Sequence, residues 1–158
     1  MTSLQNAVRL ANGNTIINNW FNQWSTTKLD PALTHTFGGH TPCVELQTGS
    51  DEYFVCDLGS GARPFGVNIL ASQAGRPATI NVFMSHVHWD HIMGFPFFTP
   101  VYIPGNRIVI HTCHANVADA FLRQQSAPCF PVDFAALGAE IRFEVLQPDQ
   151  TYEIAGYR

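Results

Sequence analysis

The apolar, β-type run Thr79-Ile80-Asn81-Val82-Phe83-Met84 leads almost directly into His86-Val87-His88-Trp89-Asp90-His91, so a strand delivers three imidazoles and a carboxylate to the loop at its end. Four such groups in six residues cost stability if they are buried without partners. Neutral imidazole and ionised carboxylate are the side chains that hold Zn²⁺, Mn²⁺ or Fe²⁺ while leaving positions open for water and substrate. Extended backbone sends alternate side chains to one face, so His86 and His88 are expected to grip one ion together. Asp90 and His91, past the strand end where the chain turns, are expected to reach a second ion. Two ions about 3.5–4 Å apart would share a hydroxide and clamp the attacking and leaving oxygens of a displacement.

The rest of the chain supplies a frame for that loop. Cys43 to Thr48 and Glu52 to Asp57 are strand candidates separated by the hairpin-type connection Gly49-Ser50-Asp51. Gly59-Ser60-Gly61 leads into a helix expected around Arg63 to Gln73, with Phe65, Val67, Ile69 and Leu70 supplying apolar surface. Ile92 to Phe98 is expected to form a short helix cut off by Pro96, with Phe95, Phe97 and Phe98 serving either the core or the wall of a substrate entrance. Pro104-Gly105-Asn106 marks a turn, Arg107 to His111 a strand, and Ala115 to Gln125 a helix carried by Val117, Ala118, Phe121 and Leu122. Closing strands are expected over Glu140 to Leu146 and Thr151 to Ile154. Ahead of all this, Ile16, Ile17, Trp20, Phe21 and Trp24 follow a helical spacing within an N-terminal segment, residues 1–36.

Composition narrows the function classes. A chain of 158 residues, 46% hydrophobic, is expected to form a single domain with a real core. The net charge of −4, with one Lys and seven scattered Arg, argues against nucleic acid as the main ligand, because a phosphate-tracking protein shows a clustered basic stripe. No signal-type or bilayer-length apolar stretch is present, which makes the cytoplasm the expected compartment and excludes a membrane role. Cys43, Cys56, Cys113 and Cys129 contain no C-x-x-C pair and are expected to be free thiols. His111-Thr112-Cys113-His114 invites a zinc reading, but two His and one Cys do not close a tetrahedral site, so a structural or solvated role is expected.

The run SHVHWDHIMG resembles the first metal-binding motif of the metallo-β-lactamase superfamily. Phe37 to Leu46, Phe54 to Gly61 and Gly94 to Phe98 are similar to its phosphodiesterase and ribonuclease Z-like branch. The resemblance spans about residues 37 to 154 and implies an α/β fold, the αββα sandwich, of which this chain looks like the N-terminal half. It implies that His86 and His88 bind a first metal and Asp90 and His91 a second, with Asp57 as an outer carboxylate orienting the loop. It further implies two divalent ions as cofactors, Zn²⁺ or alternatively Mn²⁺ or Fe²⁺, and Asp90 as proton acceptor from the nucleophile. His40 lies in a loop near the metal mouth of relatives and is a candidate substrate contact.

Relatives complete the site with another His, a bridging Asp and a final His from a C-terminal half. A missing C-terminal half, a second chain or a homodimer is therefore expected to complete this one. The implied activity is hydrolysis of a small phosphodiester substrate. A lactonase or thioesterase of the same fold is the nearest rival, and a truncated, non-catalytic metal-binding or interaction module is the alternative from another class. A di-iron redox role is a third option.

Overall fold

Short β-branched and aromatic runs separated by glycine and proline turns pair into a mixed five-stranded sheet. The computed structural model describes residues 40–158. Strands β1 (Val44–Leu46), β2 (Tyr53–Cys56), β3 (Thr79–Met84), β4 (Arg107–Thr112) and β5 (Glu140–Val145) lie side by side in chain order. The β1–β2 pair is antiparallel, joined through the hairpin at Gly49, and the pairs β2–β3, β3–β4 and β4–β5 are parallel. Parallel neighbours need crossovers. These carry helices α1 (Ala62–Gln73), α2 (Trp89–Ile92) and α3 (Val117–Gln124), with 3₁₀ turns at Phe95–Phe97, Thr99–Tyr102 and Phe134–Ala136.

The crossovers share one core with one face of the sheet. Val55, Ile80, Val82, Met84, Ile108 and Ile110 pack with Phe65 and Ile69 of α1, with Phe95, Phe98 and Val101, and with Val117 and Phe121 of α3. Phe65 stacks on Phe98 at 5.8 Å, and Phe95 meets Phe121 edge-on at 4.8 Å. Aromatic pairs in these geometries add to their area burial. Phe95 and Phe98 are thus core, and only Phe97 is exposed, against Phe130.

Several boundaries depart from expectation. The helix anticipated over Ile92 to Phe98 is instead the single turn of α2 followed by separate 3₁₀ turns, since Pro96 fits the first turn of a new helix but not the interior of a continuing one. Thr151 to Ile154 forms no strand; Ile154 makes an isolated bridge to Tyr157. Val67 and Leu122 are exposed, so α1 and α3 bury narrower faces than their apolar letters suggest. The expected N-terminal helix lies outside the described residues.

The opposite face of the sheet carries a polar line through an apolar patch. His111 is 3% exposed, and its Nε2 lies 3.1 Å from Oδ1 of Asn81, whose Nδ2 donates to Glu52 at 2.7 Å. Phe83 stacks on the His111 ring at 5.1 Å. Glu144 Oε2 sits 3.2 Å from Nδ1 but outside hydrogen-bond geometry, so Nδ1 has a charge beside it and no bond. Burial lowers the His111 pKa below the ordinary 6.5, outweighing Glu144, which pulls it up.

The sign of the pH effect follows from linkage. Below the ordinary imidazole pKa the unfolded chain binds a proton that folded His111 resists, so its stability contribution is full above that value and is lost as pH falls through the folded one. His111→Gln should flatten the fall in urea-unfolding free energy between neutral and mildly acidic pH. An unchanged slope would contradict this assignment.

Candidate metal centre

The loop is placed by the carboxyl ends of β2 and β3, where parallel sheets gather ligands. Asp57 follows β2 with φ of 60°, a left-handed conformation that Asp and Asn tolerate better than most residues. That turn aims its buried carboxylate across at the end of β3. Asp57 Oδ1 accepts from the Ser85 backbone N–H at 2.8 Å and lies 2.9 Å from Ser85 Oγ, which in turn approaches Oδ2 at 2.7 Å. His91 Nδ1 lies 2.8 Å from Asp57 Oδ2. The loop is also fixed through backbone: Leu58 N–H donates to His91 O at 2.8 Å and Gly94 N–H to Leu58 O at 2.9 Å.

These bonds determine which ring nitrogens are free. A carboxylate only accepts, so His91 carries its proton on Nδ1 and leaves the Nε2 lone pair unused by Asp57. The single Ser85 hydroxyl proton goes to Asp57, and Ser85 Oγ then accepts from His86 Nδ1 at 3.0 Å, which frees His86 Nε2 as well. The His86 ring lies 4.5 Å from that of His88 and 4.0 Å from that of His91, centroid to centroid. His91 Nε2 is 3.4 Å from Asp90 Oδ2. That separation is about the edge of a tetrahedron with bonds of about 2.1 Å, the length of Zn–N and Zn–O bonds.

The four predicted ligands are therefore neighbours, although among the described residues no three His, Cys, Asp or Glu side chains present donors around one centre. The chemistry of the set fits a divalent cation: imidazole nitrogens oriented by hydrogen bonds behind them, beside an exposed carboxylate. Asp90 and His91 sit in the turn of α2 rather than in a plain loop, which places them on adjacent helical positions. Trp89 is 59% exposed, while Val87 is partly buried on the core.

His40 reaches the Gly59-Ser60-Gly61 turn. Its Nδ1 lies 3.1 Å from Ser60 Oγ, and burial lowers its pKa. Ser60 also accepts from Thr41 N–H at 2.9 Å, and Thr41 Oγ1 accepts from Ser60 N–H at 2.6 Å, so the Gly59-Ser60-Gly61 turn is locked to the His40 loop. Ser85 and His114 were not among the predicted site residues. His114 Nε2 donates to the Ser85 carbonyl at 2.9 Å and so steadies the start of the loop from the end of β4. A hydroxyl directly before the histidine string, at a strand end, was the available signal for Ser85. For His114 there was none, because its contact depends on the β3–β4 pairing. Cys56, Cys113 and Cys129 are free thiols.

Close approach of two glycines seals the base of the site. A Cβ on Gly94 would collide with the carbonyl of Gly59, which itself packs against the Asp90 carbonyl and Thr41. Gly94→Ala should lower unfolding free energy by about 3 kcal/mol or more, read from the denaturant midpoint. Gly49→Ala meets no atom and is strained only by its φ of 81°, so it should cost about 1 kcal/mol.

No family model, curated protein or solved structure matches this chain. Among the described residues no helix is long and apolar enough to cross a membrane.

Proposed function

We propose that the His86–His91 loop is the metal-binding part of a hydrolase site of the metallo-β-lactamase type, acting on a small phosphodiester. The observation that carries this reading is the Asp57–Ser85–His relay, which orients His86 and His91 with Nε2 free, that of His91 beside Asp90. His86 and His88 would hold one divalent ion and Asp90 and His91 a second, Zn²⁺ or alternatively Mn²⁺ or Fe²⁺. When bound, such ions lower the pKa of a water toward ~7 and stabilise charge on a non-bridging oxygen. Asp90 would accept the proton of the nucleophile, and Asp57 keeps the His91 ring from rotating. A further segment or a second copy supplies the remaining ligands. Free thiols on exposed Cys113 and Cys129 suit a reducing, cytoplasmic setting.

The test is an assay of the complete polypeptide with added Mn²⁺ or Zn²⁺ on bis(p-nitrophenyl) phosphate and on an acyl-homoserine lactone. Diester hydrolysis is the expected result. Turnover of the lactone alone would overturn the diesterase assignment in favour of a lactonase of the same type. The alternative from another class is a non-catalytic metal-binding or interaction module. Native mass spectrometry showing a metal-free monomer in the presence of Zn²⁺ would support that reading against ours.

A further inference from the structure

A pocket of about 390 Å³ opens between α2 and α3, with the metal loop as one wall. Its volume falls in the range that holds small organic ligands. Val87 and Trp89, which alternate with His86 and His88, form the loop side, and Asn116, Asp119, Arg123 and Gln124 form the side of α3. None of these residues belongs to the proposed metal ligands. We propose that this pocket binds a nucleobase or a nucleobase-like flat heterocycle, independently of whether a metal is present.

Three observations select that ligand class. The exposed indole of Trp89 offers a flat face on which a ring can stack, and every base has such a face. Asp119 and Arg123 stand one helical turn apart with opposite charges, and neither is ion-paired with another described residue. A simple anion drawn to Arg123 would meet Asp119, and a simple cation drawn to Asp119 would meet Arg123. A neutral ring edge with both donors and acceptors suits the pair.

Asn116 supplies the third observation. It is exposed at the pocket wall, and its amide both donates and accepts.

The experiment titrates the full chain, without added metal, with adenosine and guanosine, followed by saturation-transfer NMR and tryptophan fluorescence, with ribose as control. At least one purine nucleoside should bind saturably and ribose should not. Trp89→Ala should weaken that binding about tenfold or more, the loss expected for one stacked base. Arg123→Ala, at an exposed helix position, should weaken it while leaving the unfolding midpoint in place. Absence of saturable binding by either nucleoside would overturn the proposal, as would binding that both substitutions leave unchanged. Neither result bears on the metal site, because no metal is added.

Discussion

Replacing His86 and His88 together with Ala is expected to abolish diester hydrolysis by the complete polypeptide and to remove at least one bound metal ion, while the fold survives. The two rings meet edge-to-face at 4.5 Å, just past the end of β3, and His86 is one of the two imidazoles whose Nε2 is freed by the Asp57–Ser85 relay. Neither belongs to the apolar core, so truncation leaves packing almost untouched and opens no buried cavity. Loss of a metal-activated nucleophile removes the dominant electrostatic contribution to such chemistry, and a drop of about 10³-fold or more in kcat/KM is the expected scale. Metal content by mass spectrometry and turnover should fall together. Turnover that persists in the double variant would show that the chemistry lies elsewhere.

Asp57→Asn should separate charge from shape. Asn accepts the left-handed φ of 60° at this position, so the backbone cost is small. Its Oδ1 can still accept from Ser85. Its Nδ2, however, would face His91 Nδ1, forcing the imidazole to place its proton on Nε2, the atom that should face the metal. Metal affinity should fall about 10–100-fold with little change in the unfolding midpoint. Asp57→Ala should do more. It leaves the Ser85 N–H, the Ser85 hydroxyl and the His91 Nδ1–H without their acceptor, and the expected cost is about 3 kcal/mol or more. Titration with a competing chelator and urea unfolding measure the two effects separately. Unchanged metal affinity in Asp57→Asn would remove Asp57 from the site.

Local patterns carried much of the frame. The run Thr79–Met84 is a strand over the whole predicted span, and α1 begins one residue before its predicted start. Both are set by neighbouring residues: β-branched and aromatic letters in one case, helical spacing after a glycine turn in the other. The failures are non-local. Val67 and Leu122 supply apolar letters to their helices, yet both lie on the solvent-facing sides of α1 and α3. Phe95 and Phe98, by contrast, take the core role that was one of the two expected for them, because the 3₁₀ turns fold back under α1.

The four ligand candidates were legible as a string, because the chemistry of imidazole and carboxylate at that spacing is rare in an ordinary strand end. Their support was only partly so. Asp57 was reached through resemblance to a family, whereas Ser85 and His114 emerge only when β2, β3 and β4 are set side by side. The pocket behind Trp89 was not legible, since its walls come from two segments about thirty residues apart that meet only through the crossover packing of α3. The polar line from Glu52 through Asn81 to His111 has the same origin: the parallel register of β2, β3 and β4 brings the three together on one face.

Anomalous diffraction at the zinc edge, from crystals of the chain grown with Zn²⁺, tests the central claim most directly. A peak about 2.0–2.1 Å from His91 Nε2 and within bonding reach of Asp90 is the predicted result, with a second near His86 and His88 if the remaining ligands are supplied. Zinc bound only at other residues, with the His86–His91 loop bare, would contradict it.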